Sequence, residues 1–359
     1  MAFQAAALLL CGCVVPRPIG VEPSIKPPAI QQSAQRPVIM DVDTGRDDAW
    51  AILAAMRRHQ PDALIASYGN TTLANTVRNT LDVVALGTSG ADARPPVWRG
   101  EVRPLQPVPP SSQAEITRRA ENNGNGLVNV TLPPSGTSTV NGNGPWVTQV
   151  ADFIRKEKQV DFVMMGPATD LARLIDAFGK EKDGTPIITR YVRNVVAMGG
   201  SMEPGLAVDF NFQADPLAAQ KVITTFGKNL TLVPYDLTRQ LALTQEEVSQ
   251  LRGRDRLAET TREIMQAQAT WPSNTSHRVL LHDPATLLVL DNAIGSKMMK
   301  VSVALDEPTP GSGAPLPGKL LLDPNGTAVN VATIPPEQIT AVRNRLVRDY
   351  FRLEAADNR

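Results

Sequence analysis

The chain has 359 residues, 42% of them hydrophobic, enough to bury a large core in one big α/β domain or two small ones. Thirty-six basic residues cancel 36 acidic ones, which leaves no global field favouring nucleic acid, an acidic membrane surface or a strongly charged substrate. Both cysteines, Cys11 and Cys13, fall within the first 13 residues, so the remainder has no thiol for a disulfide, a zinc site or a nucleophile, and its chemistry falls to oxygen and nitrogen groups.

The opening MAFQAAALLLCGCVV is too short for a membrane span of roughly 20 residues but suits a signal-peptide core. Leu10-Cys11-Gly12-Cys13 resembles a bacterial lipobox, with Cys13 as the lipidated residue, although a basic segment ahead of it is missing. Residues 1–13 are therefore expected to be a signal and lipobox segment of a periplasmic or membrane-anchored lipoprotein. A cytoplasmic protein with a frayed apolar N-terminus is the alternative. Residues 14–36, rich in Pro, Gln and Ser without periodicity, read as a linker.

The folded part is expected over residues 37–359. Short apolar runs at Pro37 to Val42, Ala63 to Tyr68, Val160 to Met165, Val192 to Met198 and Leu230 to Pro234 read as buried strands alternating with helix-period segments. That alternation predicts an α/β fold, a mostly parallel open sheet with helices on both faces. Residues 107–145, rich in Asn, Gly, Ser and Pro, read as long loops over one end of the sheet. Thr244 to Glu247 has capping-box spacing ahead of Val248 and Leu251. Pro336 to Phe351 reads as a closing amphipathic helix.

The most informative stretch is PVIMDVDTGRDDAWAILAAMRR, in which a strand runs into Asp41, Asp43, Gly45, Asp47 and Asp48 and then into a helix. Four carboxylates in eight residues repel one another unless positive charge sits among them. Ala49, Ile52, Leu53 and Met56 follow helical spacing, which puts Asp47 and Asp48 in the first turn, at the positive end of the helix dipole. A hard cation is the natural second partner. Carboxylate oxygens suit Ca²⁺, and scarce histidine with no cysteine argues against zinc. Position agrees, because ligands of open α/β sheets bind at the carboxyl ends of strands. The plainer reading is a capped helix start with solvated acids, or, for Asp41 alone, a buttress of the loop.

Asp41-Val42-Asp43-Thr44-Gly45-Arg46-Asp47-Asp48-Ala49 resembles the D-x-D-P-G-x-D-D-A signature of the inosine-uridine nucleoside hydrolase family, with Thr44 in place of proline. The resemblance continues in order through Tyr68-Gly69-Asn70, Arg78-Asn79-Thr80, Asn123-Gly124-Asn125-Gly126-Leu127, Met165-Gly166-Pro167-Ala168-Thr169-Asp170, Met198-Gly199-Gly200, Asp209-Phe210-Asn211 and His282-Asp283-Pro284. It implies a Rossmann-like nucleoside hydrolase fold with the active site at the carboxyl ends of the strands. The implied activity is calcium-dependent hydrolysis of the N-glycosidic bond of ribonucleosides, giving ribose and free base.

The resemblance implies Asp43, Asp48 and Asp283 as carboxylate ligands of the calcium, with the Met165 carbonyl as another. Asp43 would also be the base that activates a metal-bound water. Asp47, Asn70 and Asn211 resemble the ribose-hydroxyl binders, Asp209 stands in for a glutamate near the 5′ end, and Trp271 for an aromatic residue flanking the base. His282 resembles the leaving-group acid, a role worth typically 10²–10⁴-fold; a lone histidine or tryptophan is more often structural, and the His-Asp-Pro context is what favours the catalytic reading of His282. Asn123 stands where a loop histidine is common, and the Met202 to Val208 segment is short. A homo-oligomer is the family expectation. Two rival readings stay open: a non-catalytic lipoprotein that binds calcium and a ribosyl ligand, and a phosphatase of the haloacid dehalogenase type with Asp41 as nucleophile.

Overall fold

In the computed structural model the described residues are 36–58, 61–88, 94–139 and 145–356. The signal, lipobox and linker expectations lie outside them, apart from Arg36. In chain order the first part comprises β1 (Val38–Val42), α1 (Arg46–Arg58), β2 (Ala63–Ala66), α2 (Leu73–Gly87), β3 (Val97–Arg99), α3 (Pro110–Asn122), α4 (Trp146–Glu157), β4 (Val160–Met164), α5 (Thr169–Phe178), β5 (Val192–Met198), α6 (Phe210–Ala214), α7 (Pro216–Phe226) and β6 (Leu230–Val233). A run of short elements follows: α8 (Tyr235–Thr238), β7 (Ala242–Thr244), α9 (Gln245–Ser249), β8 (Leu251–Gly253), α10 (Arg256–Ala269), β9 (Arg278–Leu280) and α11 (Pro284–Leu290). The chain closes with β10 (Gly295–Val303), β11 (Leu320–Leu322), β12 (Thr327–Thr333), α12 (Ile339–Arg345) and β13 (Leu353–Ala355).

Nine strands form one sheet in the order β11-β10-β12-β6-β5-β4-β1-β2-β3. From β3 to β12 every neighbouring pair is parallel, whereas β10 runs antiparallel to both β12 and β11. The continuous apolar runs follow from this. A parallel strand with helices on both faces has no solvated side, so β1 and β4 are buried at every position. Side chains alternate across the sheet with a period of two. Val38, Met40 and Val42 accordingly enter the core beneath α1, α2, α10 and α11, while Ile39 enters the opposite core with α4, α5 and α7.

The expected strands and the expected capping box, with Thr244 Oγ1 accepting from the Glu247 backbone, are all present. Two expectations need correction. Residues 107–145 are not all loop, because Pro110–Asn122 forms the 13-residue helix α3. Only Ser112 of that helix is fully buried, so there was no apolar stripe to reveal it; Glu115 paired with Arg118 and Arg119 supports it instead. The segment from Pro336 to Phe351 is likewise not one helix. It comprises a 3-10 turn at Pro336–Gln338, then α12, then a π-helical turn at Leu346–Tyr350 whose Leu346, Val347 and Tyr350 are buried. Among the described residues no helix is long and apolar enough to cross a membrane.

One surface tie anchors the face that carries α1. Asp255 caps α10 by accepting from the Ala258 backbone at 2.9 Å, and it accepts from both terminal nitrogens of Arg57 at the end of α1, at 2.6 Å for Nη1. The guanidinium holds the carboxyl down to about 2. A carboxyl depressed in the folded state adds stability that is present above its unfolded value, about 3.9, and is lost as pH falls through the folded value. Asp255→Ala should lose on the order of 1 kcal/mol at neutral pH through the missing cap. The gap between variant and wild type in urea unfolding should narrow as pH falls from about 4 to about 2, and a constant gap would show that the ion pair contributes nothing.

Candidate active site

The carboxyl edge of the parallel strands gathers the signature residues. After β1 the chain turns sharply into α1, and Asp48 closes the turn: its Oδ1 accepts from the Asp43 backbone at 3.2 Å and its Oδ2 from the Gly45 backbone at 3.0 Å. The loop after β2 supplies Asn70, whose backbone N–H donates to Asp43 Oδ2 at 2.6 Å and whose side-chain amide donates to Asp43 Oδ1 at 3.3 Å and Asp48 Oδ2 at 3.1 Å. That approach requires Gly69, because a Cβ there would lie 1.9 Å from Asp43 Oδ2. Asn79 and Thr80 of α2 clamp the same turn. The Asn79 amide donates to the carbonyls of Thr44 and Asn125, and the Thr80 hydroxyl lies 2.6 Å from that of Thr44. The Arg78-Asn79-Thr80 and Asn123-to-Leu127 motifs thus hold the loop in shape.

Oxygens of Asp47, Asp48 and Asp283 all lie within 4.8 Å of one another. Ligands on opposite sides of a calcium ion, each at 2.3–2.6 Å, stand about 4.6–5.2 Å apart, so the three fit around one hard divalent cation. Asp47 Oδ1 is buried without a hydrogen-bond partner, and Asp283 starts α11 without using its side chain as a cap. Burial, then the neighbouring carboxylates, pushes Asp43 and Asp283 well above the usual carboxylate range and raises Asp48 to about 7. A cation reverses each of these shifts, because it favours the charged form of every group it touches. Asp43 stands beside this triplet, held by Asn70 through both oxygens. The Met165 carbonyl, at the end of β4, accepts from the Asn211 amide.

Asn211 also donates to the Met198 carbonyl at 3.0 Å. Asp209 caps α6, its Oδ1 accepting from the backbones of Gly200 at 3.0 Å and Phe212 at 3.2 Å. Asp41 is fully buried and contributes its backbone carbonyl to the Met165 N–H at 2.8 Å. It faces Asp170, and burial followed by that charge raises its carboxyl.

A cavity of about 260 Å³ adjoins the aspartates, and His282, Asp47, Trp271 and Asn123 all line it. His282 has its Nδ1 2.7 Å from the Thr238 hydroxyl and its ring 5.5 Å from that of Tyr235. Burial pulls the imidazole down to about 4; Asp47 opposes this, while Arg46 and Arg119 add to it. Arg119 and Arg46 are among the cavity residues with no role assigned from sequence. Arg119, on the unforeseen α3, donates to Asn70 Oδ1 at 3.0 Å and stacks 3.8 Å above the Phe210 ring. Its only sequence signal was the four-residue spacing from Glu115. Arg46 lies inside the signature itself, at a position where the pattern specifies no residue type.

The family model described as inosine-uridine preferring nucleoside hydrolase matches residues 38–338. Similar proteins include a "Probable uridine nucleosidase 1" of Oryza sativa subsp. japonica, 28% identical over 264 residues, covering 70% of this chain and 76% of the relative. A "Pyrimidine-specific ribonucleoside hydrolase RihA" of Shewanella sp. (strain MR-4) is 29% identical over 267 residues, covering 72% and 78%. Among solved structures, a plant nucleoside hydrolase, PpNRh1, superposes with a TM-score of 0.69 at 20% identity, covering 87% of this chain and 98% of that one. A purine-preferring ribonucleoside hydrolase from Gardnerella vaginalis gives 0.65 at 21%, covering 88% and 98%. These two likenesses establish the shared fold. With its signature residues gathered at one sheet edge and the family match spanning nearly all of the described fold, the chain belongs to the inosine-uridine preferring nucleoside hydrolase family and is a hydrolase acting on nucleosides.

Proposed function

We propose that this chain is a calcium-dependent ribonucleoside hydrolase in which Asp43 is the base that takes a proton from the attacking water. The observation that carries this reading is the set of carboxylates gathered beside a cavity that Asp47 lines, with Asp43 fixed next to Asp47, Asp48 and Asp283. Asp48, Asp283, Asp43 and the Met165 carbonyl would hold the ion, with Asp47 close enough to reach both the ion and a ribose hydroxyl. A bound calcium supplies positive charge that orients ribose hydroxyls and makes water a better acid.

The remaining work falls to the protein. Asn70 aims the Asp43 carboxylate, and Asp47, Asn70 and Asn211 fix the directions of ribose hydroxyls, so that a deoxy sugar leaves a buried polar group unpaired. As the bond to the base lengthens, positive charge grows on the sugar ring, and the surrounding carboxylates stabilise it. His282 faces the base side. At neutral pH it is uncharged, and in the tautomer whose Nδ1 accepts from the Thr238 hydroxyl its Nε2–H donates a hydrogen bond to the departing base. Trp271 offers a flat wall for that base. Attachment to a membrane through lipid on Cys13, and assembly with further copies, belong to the same proposal.

Ribose release from a panel of ribonucleosides should stop on adding a calcium chelator and return on adding calcium; chelator-resistant turnover would refute the metal requirement. Asp43→Asn should lower kcat on the order of 10²–10⁴-fold, and normal activity in that variant would remove Asp43 from the mechanism. His282→Ala, assayed at saturating calcium, should lose on the order of 10²-fold on inosine and much less on nitrophenyl riboside, whose leaving group needs no help; equal losses on both would assign His282 a shaping role. Full-length protein should partition with membranes, and Cys13→Ser should move active enzyme to the soluble fraction. Wild-type protein found wholly soluble with its N-terminus intact would contradict the lipid anchor.

A further inference from the structure

The cavity beside the aspartates is basic where the aspartates are acidic. Arg46, Arg118, Arg119 and Arg278 line it, against Asp47 as the one carboxylate in its wall. Two of these cations are already engaged, because Arg118 and Arg119 are both paired with Glu115, and Arg119 also donates to Asn70. Arg278 is exposed. Arg46 differs from all three. It is the first residue of α1, half-buried, and among the described residues no hydrogen bond or ion pair holds its guanidinium. Its position next to Asp47 keeps it at the boundary between the sugar side and the base side, and its charge is felt at His282 as well as at Asp47, Asp48 and Asp283.

An unengaged guanidinium in a cavity wall needs a reason, since arginine is normally satisfied by a carboxylate or phosphate when it leaves water. Hydrolysis of a glycosidic C–N bond provides one. We propose that Arg46 stabilises the departing base as an anion, an inference that rests on the ribohydrolase reading above. The water oxygen bonds to C1′, its proton passes to Asp43, the C1′–N bond breaks, and the electron pair stays on the base nitrogen. Arg46 keeps its proton throughout and neutralises that charge through space and by donating to the base. The neutral His282 donates a hydrogen bond to the base while it carries this charge, and the base takes up a proton from solvent after it leaves. The negative charge exists only after bond breaking has begun, so the interaction favours the transition state over the bound substrate.

The test uses Arg46→Met in the calcium-loaded full chain, with Arg46→Lys as the charge-conserving variant and thermal melting as a control for folding. On inosine, Arg46→Met should lower kcat on the order of 10²-fold with a smaller effect on KM; Arg46→Lys should recover part of the loss, and added guanidinium ion should rescue Arg46→Met. The loss should shrink on nitrophenyl riboside. An unchanged kcat, or equal losses on both substrates without guanidinium rescue, overturns the proposal. A second readout does not depend on turnover. Trp50 and Trp271 lie in the cavity wall, so their fluorescence reports binding of free bases. Wild type should bind the xanthine monoanion more tightly than neutral hypoxanthine, and Arg46→Met should lose that preference; no anion preference in wild type also overturns it. Absence of ribose release from every nucleoside by wild type would instead refute the hydrolase reading, leaving the fluorescence comparison to decide on the arginine.

Discussion

Everything at the carboxyl edge of the sheet depends on holding several carboxylates close together out of water. Asp43, Asp48 and Asp283 are each almost fully buried; Asp47 raises the proton affinity of all three, Asp48 adds to that of Asp43, and Asp43 and Asp48 both add to that of Asp283. Left alone, such a group of like charges would protonate or open the loop. The protein restrains it with donors. The Asn70 side-chain amide bridges Asp43 and Asp48, its backbone adds a third bond, and two loop amides bind the oxygens of Asp48. These neutral donors fix direction without cancelling charge, so the cluster stays available to a cation and to the hydroxyls of a sugar.

The contacts behind the aspartates follow from that arrangement. Asn70 can serve two aspartates only because its own oxygen is held by Arg119, which in turn lies flat on Phe210 and pairs with Glu115. Helix α3 therefore reaches the aspartates through a chain of contacts, although it follows β3 by about ten residues and buries little of its own surface. On the other side, Lys319 donates to the carbonyls of Glu203 and Leu206, and Asp236 accepts from the backbones of Met202 and Glu203. The short Met202 to Val208 segment is pinned by charge-assisted bonds to its backbone, next to the cap formed by Asp209.

The site divides electrostatically into an acidic cluster at the sheet edge and a cavity wall that carries four arginines. Net charge conceals this, since the whole chain sums to zero. Such separation of sign counts for most where the groups are buried, because the effective dielectric is lower there than in water. The low proton affinity of His282 belongs to the same pattern: burial and two arginines outweigh Asp47.

The sequence by itself determined the parallel strands, because strands buried on both faces must be continuously apolar. It also determined the signature turn, since an acidic group just before a helix is legible from spacing alone, and the α9 capping box, whose two partners are three residues apart. Asn70, Asn211 and Asp283 came only from the resemblance to the family, since nothing in the spacing of their own segments marks them. What it left undecided are features whose cause is distant in the chain. Helix α3 carries no apolar stripe, and Arg119 acquires its place only when α3 settles beside the loop after β2. The antiparallel β10 and β11 sit at the edge of the sheet, where β10 exposes side chains at most positions and gives no continuous run. Only the tertiary structure decided that Asp47 joins Asp48 and Asp283, residues more than 230 positions apart, because their spacing is set by how α1 and α11 pack in one core rather than by either segment's own pattern.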